Sequence, residues 1–169
     1  MYDTEDKKNP LNLGIGAVWT DWLDEQARAQ FEKTGYYEME MGILPNIRFI
    51  GLNSQACNNQ NFYFFRLHAD PGNQLEWFEG RLKAARADGK GVWLASHITT
   101  GQGACFAEWG IRFRALTDAY QDVVRVHLAG HSHSEFYELM RDAITEEKPI
   151  HAVLGGGSIT TYTDKNPNV

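Results

Sequence analysis

The chain is predicted to be α/β, a mixed sheet flanked by helices, and three observations lead to that class. Aliphatic runs at residues 92–95 and 123–129 hold few polar side chains, the pattern of strands covered on both faces. Stretches with helical periodicity separate such runs, with no repeat, linker or low-complexity tract to divide the chain. Polar, chemistry-bearing residues fall where the apolar runs stop, as in open sheets whose ligands sit at strand ends. All 169 residues therefore read as one unit.

Taken in order, residues 1–13 are polar with Pro10 among them, which predicts a loop or frayed end. Residues 19–33 fit a helix: Trp19, Trp22 or Leu23, Gln26, Ala27 and Gln30 track one side, Asp21 and Asp24 come early, and Gly35 follows. Residues 36–41 alternate as a strand would and run into a turn at 42–46. A core strand is expected at 47–52, then a polar loop at 53–61 holding Cys57, then a second strand at 62–67. The clearest helix begins at Asn73, with Glu76 as a capping-box partner, Leu75, Phe78, Leu82 and Ala85 as the apolar stripe, and Asp88-Gly89 as the stop. Beyond the strand at 92–95 come a helix within 106–121, the strand at 123–129, and strands at 135–140 and 150–154. Gly155-Gly156-Gly157 then turns the chain.

Composition narrows the partners. At 43% hydrophobic residues the chain can bury a real core. A formal charge of −6, with no basic run longer than Lys7-Lys8, argues against a nucleic-acid polymer and gives no pull toward anionic lipid. No segment has the eighteen or so apolar residues of a membrane span. Residues 2–9 are charged and polar, so the chain does not open on a signal peptide. Two cysteines, Cys57 and Cys105, each follow an apolar strand; on these residues alone they read equally as buried thiols or as a bridge.

The chemistry concentrates on histidine. Ser96-His97 closes the 92–95 strand, and Gly130-His131-Ser132-His133 closes the 123–129 strand. His131 and His133 point to one side if the strand continues and fan apart if it turns. Imidazole nitrogen suits zinc, iron and manganese, so three such groups at strand ends point to a metal-assisted hydrolase. His127 lies within its strand, His68 opens a loop, and His151 reads as structural. Glu146-Glu147 reads as a solvated turn. Gly155-Gly156-Gly157 lacks the Lys and Ser/Thr of a phosphate loop and reads as a place where backbone passes close to the site rim.

Ser96-His97 with Thr99-Thr100-Gly101, then Gly130-His131-Ser132-His133-Ser134-Glu135-Phe136, resembles the last two metal-binding blocks of calcineurin-like metallophosphoesterases. Gly51-Leu52-Asn53 with Cys57 and Asn61-Phe62, the run from Asp70 to Trp77, and Ser158-Ile159-Thr160-Thr161-Tyr162 with Asn166-Pro167 resemble the acid sphingomyelinase branch. The resemblance implies a sandwich of mixed sheets flanked by helices and a zinc-dependent phosphodiester hydrolysis, with sphingomyelin the leading substrate and nucleotides an alternative. It implies a two-metal centre in which His97 and His131 hold one ion and His133 reaches the other, zinc first, with manganese or iron fitting the same donors. It implies a Cys57–Cys105 disulfide and hence a secreted or lysosome-like oxidising compartment. Tyr162 and Gln60 would line the headgroup pocket, where a tyrosine face attracts a quaternary ammonium. Choline-selective relatives carry a carboxylate near the position of Gln60, and the neutral amide lacks that charge.

The family completes its centre with an Asp-x-His, a Gly-Asp and a Gly-Asn-His block, and none of the three occurs in these 169 residues. The chain thus matches the C-terminal part of one catalytic domain, with residues 1–4 in the loop after the Gly-Asn-His position. The proton donor to the leaving alcohol, which that block supplies, has no local substitute. The competing reading is a non-catalytic module that keeps the fold and one weakly held metal.

Overall fold

The computed structural model describes residues 9–65, 70–101, 103–142, 144–162 and 167. The expectations for residues 1–8, for His68 and for Asn166 lie outside them.

Asn9 and Pro10 open a helix where a loop was expected. The Asn9 side chain accepts from Leu11 N at 3.0 Å and proline occupies the first helical position, which costs nothing because that N–H has no partner in a helix anyway. The result is α1, Pro10–Val18. The helix expected at 19–33 is shorter, α2 at Glu25–Thr34, because Asp24 accepts from Ala27 N at 2.8 Å and fixes the start there. Gly35 ends it in the left-handed region, φ 79°.

Strands β1 (Tyr37–Glu40) and β2 (Ile47–Gly51) pair antiparallel. Phe62–Phe65, expected to begin a strand, is a 3₁₀ turn. Asn61 starts it, its carbonyl accepting from Phe64 N at 2.9 Å, and only Phe64 of the aromatic run is buried, stacked on Phe106 at 4.5 Å. A run of four aromatics has no period-two alternation, so a turn that buries a single ring is the better solution. Helix α3 (Gln74–Ala87) begins where expected, but its cap is Asp70 and not Asn73: the Asp70 carboxylate accepts from Leu75 N at 2.9 Å and Glu76 N at 3.0 Å. Asn73 sits in the left-handed region and makes no capping bond.

Strand β3 (Gly91–Ala95), helix α4 (Ala107–Ala119) and strands β4 (Val124–Ala129), β5 (Phe136–Arg141) and β6 (Pro149–Gly155) follow. The sheet runs β1-β2-β3-β4-β6-β5, with β2, β3, β4 and β6 parallel and the two edge strands antiparallel. Asp142 closes the β5–β6 connection by accepting from the backbone N–H groups of Ile144, Thr145, Glu147 and Lys148; these bonds, Thr145's first, hold its carboxyl well below the usual range.

One sheet face is closed by α3 and α4. Ile50, Val92, Leu94 and Val124 are at most 1% exposed there, packed with Phe78, Leu82 and Phe113. On the other face Ala27 and Phe31 of α2, with Leu23 just before it, cover β1 against Tyr37 and Met39. The β6–β5 end of that face stays open, with Leu154, Tyr137 and Leu139 at 40, 64 and 45% exposure. Because four strands share one direction, their carboxyl ends gather on one rim, where the β2, β3, β4 and β6 loops meet.

Candidate metal centre

His97 lies two residues past β3 and His131 two past β4, and these neighbouring strands run parallel. The two imidazoles meet at the rim, His131 Nδ1 3.4 Å from His97 Nε2, with ring centroids 5.2 Å apart at 85°. Two ligands on one tetrahedral zinc at about 2.05 Å stand about 3.3 Å apart, so this pair fits a single ion. Burial first, then the neighbouring His131 and His133, holds His97 below its ordinary pKa. A ring that stays neutral offers its lone pair to a metal.

The turn carrying His131 and His133 is held in an uncommon shape. Both are left-handed, φ 74° and 56°, a region costing about 1–2 kcal/mol per non-glycine residue. Ser132 N donates to Gly130 O at 2.9 Å and Ser132 Oγ donates to Ser134 O at 3.0 Å. Of the two orientations expected, the chain takes the fan. His133 turns toward Tyr162, ring centroids 5.8 Å apart, and its buried Nδ1 has no hydrogen-bond partner among the described residues. No group of three His, Cys, Asp or Glu side chains able to hold one metal occurs among the described residues, so the three histidines do not close around a single ion.

Several supports carry little sequence signal. Ser54, just after β2, accepts on Oγ from His97 N at 3.2 Å and Ile98 N at 2.9 Å. Gln74, fully buried, accepts from Asn53 N at 2.7 Å and donates to Asn53 O at 3.1 Å, clamping the loop before Ser54. Gln74 lies in the polar run from Asp70 to Glu76, which gives no sign that its side chain is buried. Cys57 and Cys105, by contrast, form the disulfide that the resemblance implied, which ties the loop after β2 to the loop after β3. Gln60 lines a cavity of about 870 Å³ together with Asn53, Asn61, Tyr36 and Trp19, and His97 stands on its wall. Tyr162, 72% exposed, is placed beside His133 and is not among the residues lining that cavity. Of the remaining histidines, His127 and His151 are buried at 1 and 6% exposure.

The chain is 30% identical over 157 residues to a Bos taurus sphingomyelin phosphodiesterase, covering 93% of this chain and 24% of that protein. It is 24% identical over 153 residues to a Homo sapiens cyclic GMP-AMP phosphodiesterase, covering 86% and 33% respectively. It spans about a quarter of the length of the sphingomyelin phosphodiesterases it matches. A Danio rerio dimetal phosphatase has a similar fold, with a TM-score of 0.56 at 15% identity over 83% of this chain and 55% of that one. No family model matches.

Proposed function

We propose that this chain, related over nine-tenths of its length to a segment of the sphingomyelin phosphodiesterases and folded like the dimetal phosphatases, serves metal-dependent phosphodiester hydrolysis. The observation that carries the reading is the 3.4 Å approach of His97 Nε2 and His131 Nδ1 on the rim. The ion that fits the nitrogen donors best is zinc, with manganese or iron compatible. When bound, divalent ions in such a site lower the pKa of a coordinated water and neutralise charge on the phosphoryl oxygens.

The chain's own residues have separate tasks. His97 and His131 present ring nitrogens to one position, aligned by the Ser54 bonds on one side and the Gly130 turn on the other. His133, with its Nδ1 unpaired, is the donor for a second position that needs carboxylates or imidazoles beyond this trio. Tyr162 beside it offers a ring face to the substrate headgroup, and Gln60 lends a neutral amide from the cavity that His97 also lines. A phosphocholine ester is the leading substrate, with nucleotide diesters the alternative that the second relative's name brings forward. The disulfide suits a secreted or lysosome-like compartment, and no helix among the described residues is long and apolar enough to cross a membrane.

Zinc binding and hydrolysis of a chromogenic phosphodiester by the purified chain and its His97→Ala, His131→Ala and His133→Ala variants test this. Loss of either of the first two should weaken zinc by more than the 10- to 100-fold that outer partners are worth. Loss of His133 should leave the tightest zinc in place. No zinc uptake by the unaltered chain would overturn the metal reading, and zinc uptake without turnover would favour the non-catalytic module.

A further inference from the structure

His127 takes no part in the rim pair, yet it is tied to the loop that delivers His97. It sits in β4, level with Leu94 of β3, 1% exposed and against Phe113 with centroids 5.7 Å apart. Its Nε2 lies 2.7 Å from Ser96 Oγ, and Ser96 Oγ lies 3.2 Å from Ile98 O. Ser96 has one hydroxyl proton. If Ser96 gives that proton to His127, the Ile98 carbonyl goes without it and His127 keeps a buried N–H at Nδ1, which has no partner among the described residues. If His127 donates from Nε2 instead, Ser96 Oγ accepts from the ring and donates to Ile98 O, and the only orphan is an acceptor lone pair at Nδ1. Orphaned buried N–H groups are the rarer and costlier defect, so the second assignment wins.

We propose that His127 is a positioning residue for the metal centre: as the Nε2–H tautomer it sets the Ser96 hydroxyl, which closes the 96–98 turn and aims His97 at His131. A neutral ring is consistent with its surroundings, since burial first and His151 second push its pKa down to about 3. The same turn is pinned at three further points: Ser96 N donates to Leu128 O, Gly130 N donates to His97 O, and Ser54 takes the N–H groups of 97 and 98. The Ser96–His127 bond is the one that couples a side chain of β4 to the loop of β3, the two elements whose loops supply the ligands. This inference rests on the reading of His97 and His131 as ligands only for its metal arm.

Three variants separate aiming from core filling. His127→Leu keeps volume and removes the donor, His127→Gln returns an N–H at similar reach, and Ser96→Ala removes the intermediary. Zinc affinity, measured by competition with a chromogenic chelator, should fall about tenfold in His127→Leu and Ser96→Ala, the scale of a second-layer hydrogen bond, and no further in the double variant. His127→Gln should recover most of it. Independently of metal, long-range ¹⁵N–¹H spectra should show protonated Nε2 on His127, and amide exchange at His97 and Ile98 should speed up in His127→Leu and return toward normal in His127→Gln. A protonated Nδ1, or exchange at 97 and 98 unaltered by His127→Leu, overturns the proposal even if the chain binds no zinc. Unchanged zinc affinity in His127→Leu, with wild-type binding intact, overturns it as well.

Discussion

His97 and His131 stand on the open rim, whereas His127 and His151 lie under α4 and within the sheet, although His127 and His131 are four residues apart in one strand and its following turn. The outer pair keeps nitrogens facing each other at 3.4 Å in a strained turn, which is what a ligand pair requires. Burial instead drives the inner pair to about 3 and about 4 and holds both rings neutral. The same side chain is thus a ligand candidate or a hydrogen-bonding strut according to where the parallel strands end. Strand termination, more than residue type, sorts the four.

The inner pair should dominate the response to acid. A histidine depressed in the folded state binds its proton only on unfolding, so its contribution is complete above about pH 6.5 and drains away as pH falls toward 3 or 4. Shifts of this size correspond to roughly 3 to 5 kcal/mol per ring, so urea midpoints should drop steeply between pH 6.5 and 4. His127→Gln should flatten that slope, and a slope unchanged in the variant would break the contrast between the pairs.

Next in size is the disulfide beside the outer pair. Its 48-residue separation predicts about 4 kcal/mol of stabilisation in the loop-entropy model. A Cys57→Ala/Cys105→Ala variant should show that loss in denaturant titration while the acid slope of the inner pair persists. Gln74→Leu removes two bonds to the Asn53 backbone and leaves its half-buried N–H and C=O without that partner, for about 1–3 kcal/mol. The smallest effect is expected at the rim: Tyr162→Ala should weaken phosphocholine binding about fivefold by calorimetry, the scale of an exposed cation–π contact, and Gln60→Glu should strengthen it.

Much of the architecture was legible because it is local. The stripe Leu75, Phe78, Leu82 and Ala85 is buried in α3, and Gly35 and Gly89 are left-handed where helices stop. Errors arose where a local signal had two uses. Asn9-Pro10 is both a loop dipeptide and a cap with its first helical residue. Asn73 and Asp70 are both capping residues, and the Pro71-Gly72 turn handed the task to Asp70. Phe62 to Phe65 is strand-forming by composition but lacks alternation. Of the site, the three histidines stood out as residues and the resemblance implied that His97 and His131 share one ion and His133 serves the other, but the 3.4 Å approach of the first two and the bonds that brace it were not legible.

By itself, the order of apolar runs and breaks determined which segments become strands and that histidines follow two of them, since periodicity and turn chemistry act within a few residues. Only tertiary structure decided how closely the His97 and His131 rings approach, which imidazoles are dried, and that Ser54 and Ser96 brace the loop of His97. Those contacts join residues 31 to 44 positions apart, and only the parallel crossovers through α3 and α4 bring them into register. Proton affinity follows from the same packing, because the cost of charging a ring is set by the water that neighbouring elements leave around it.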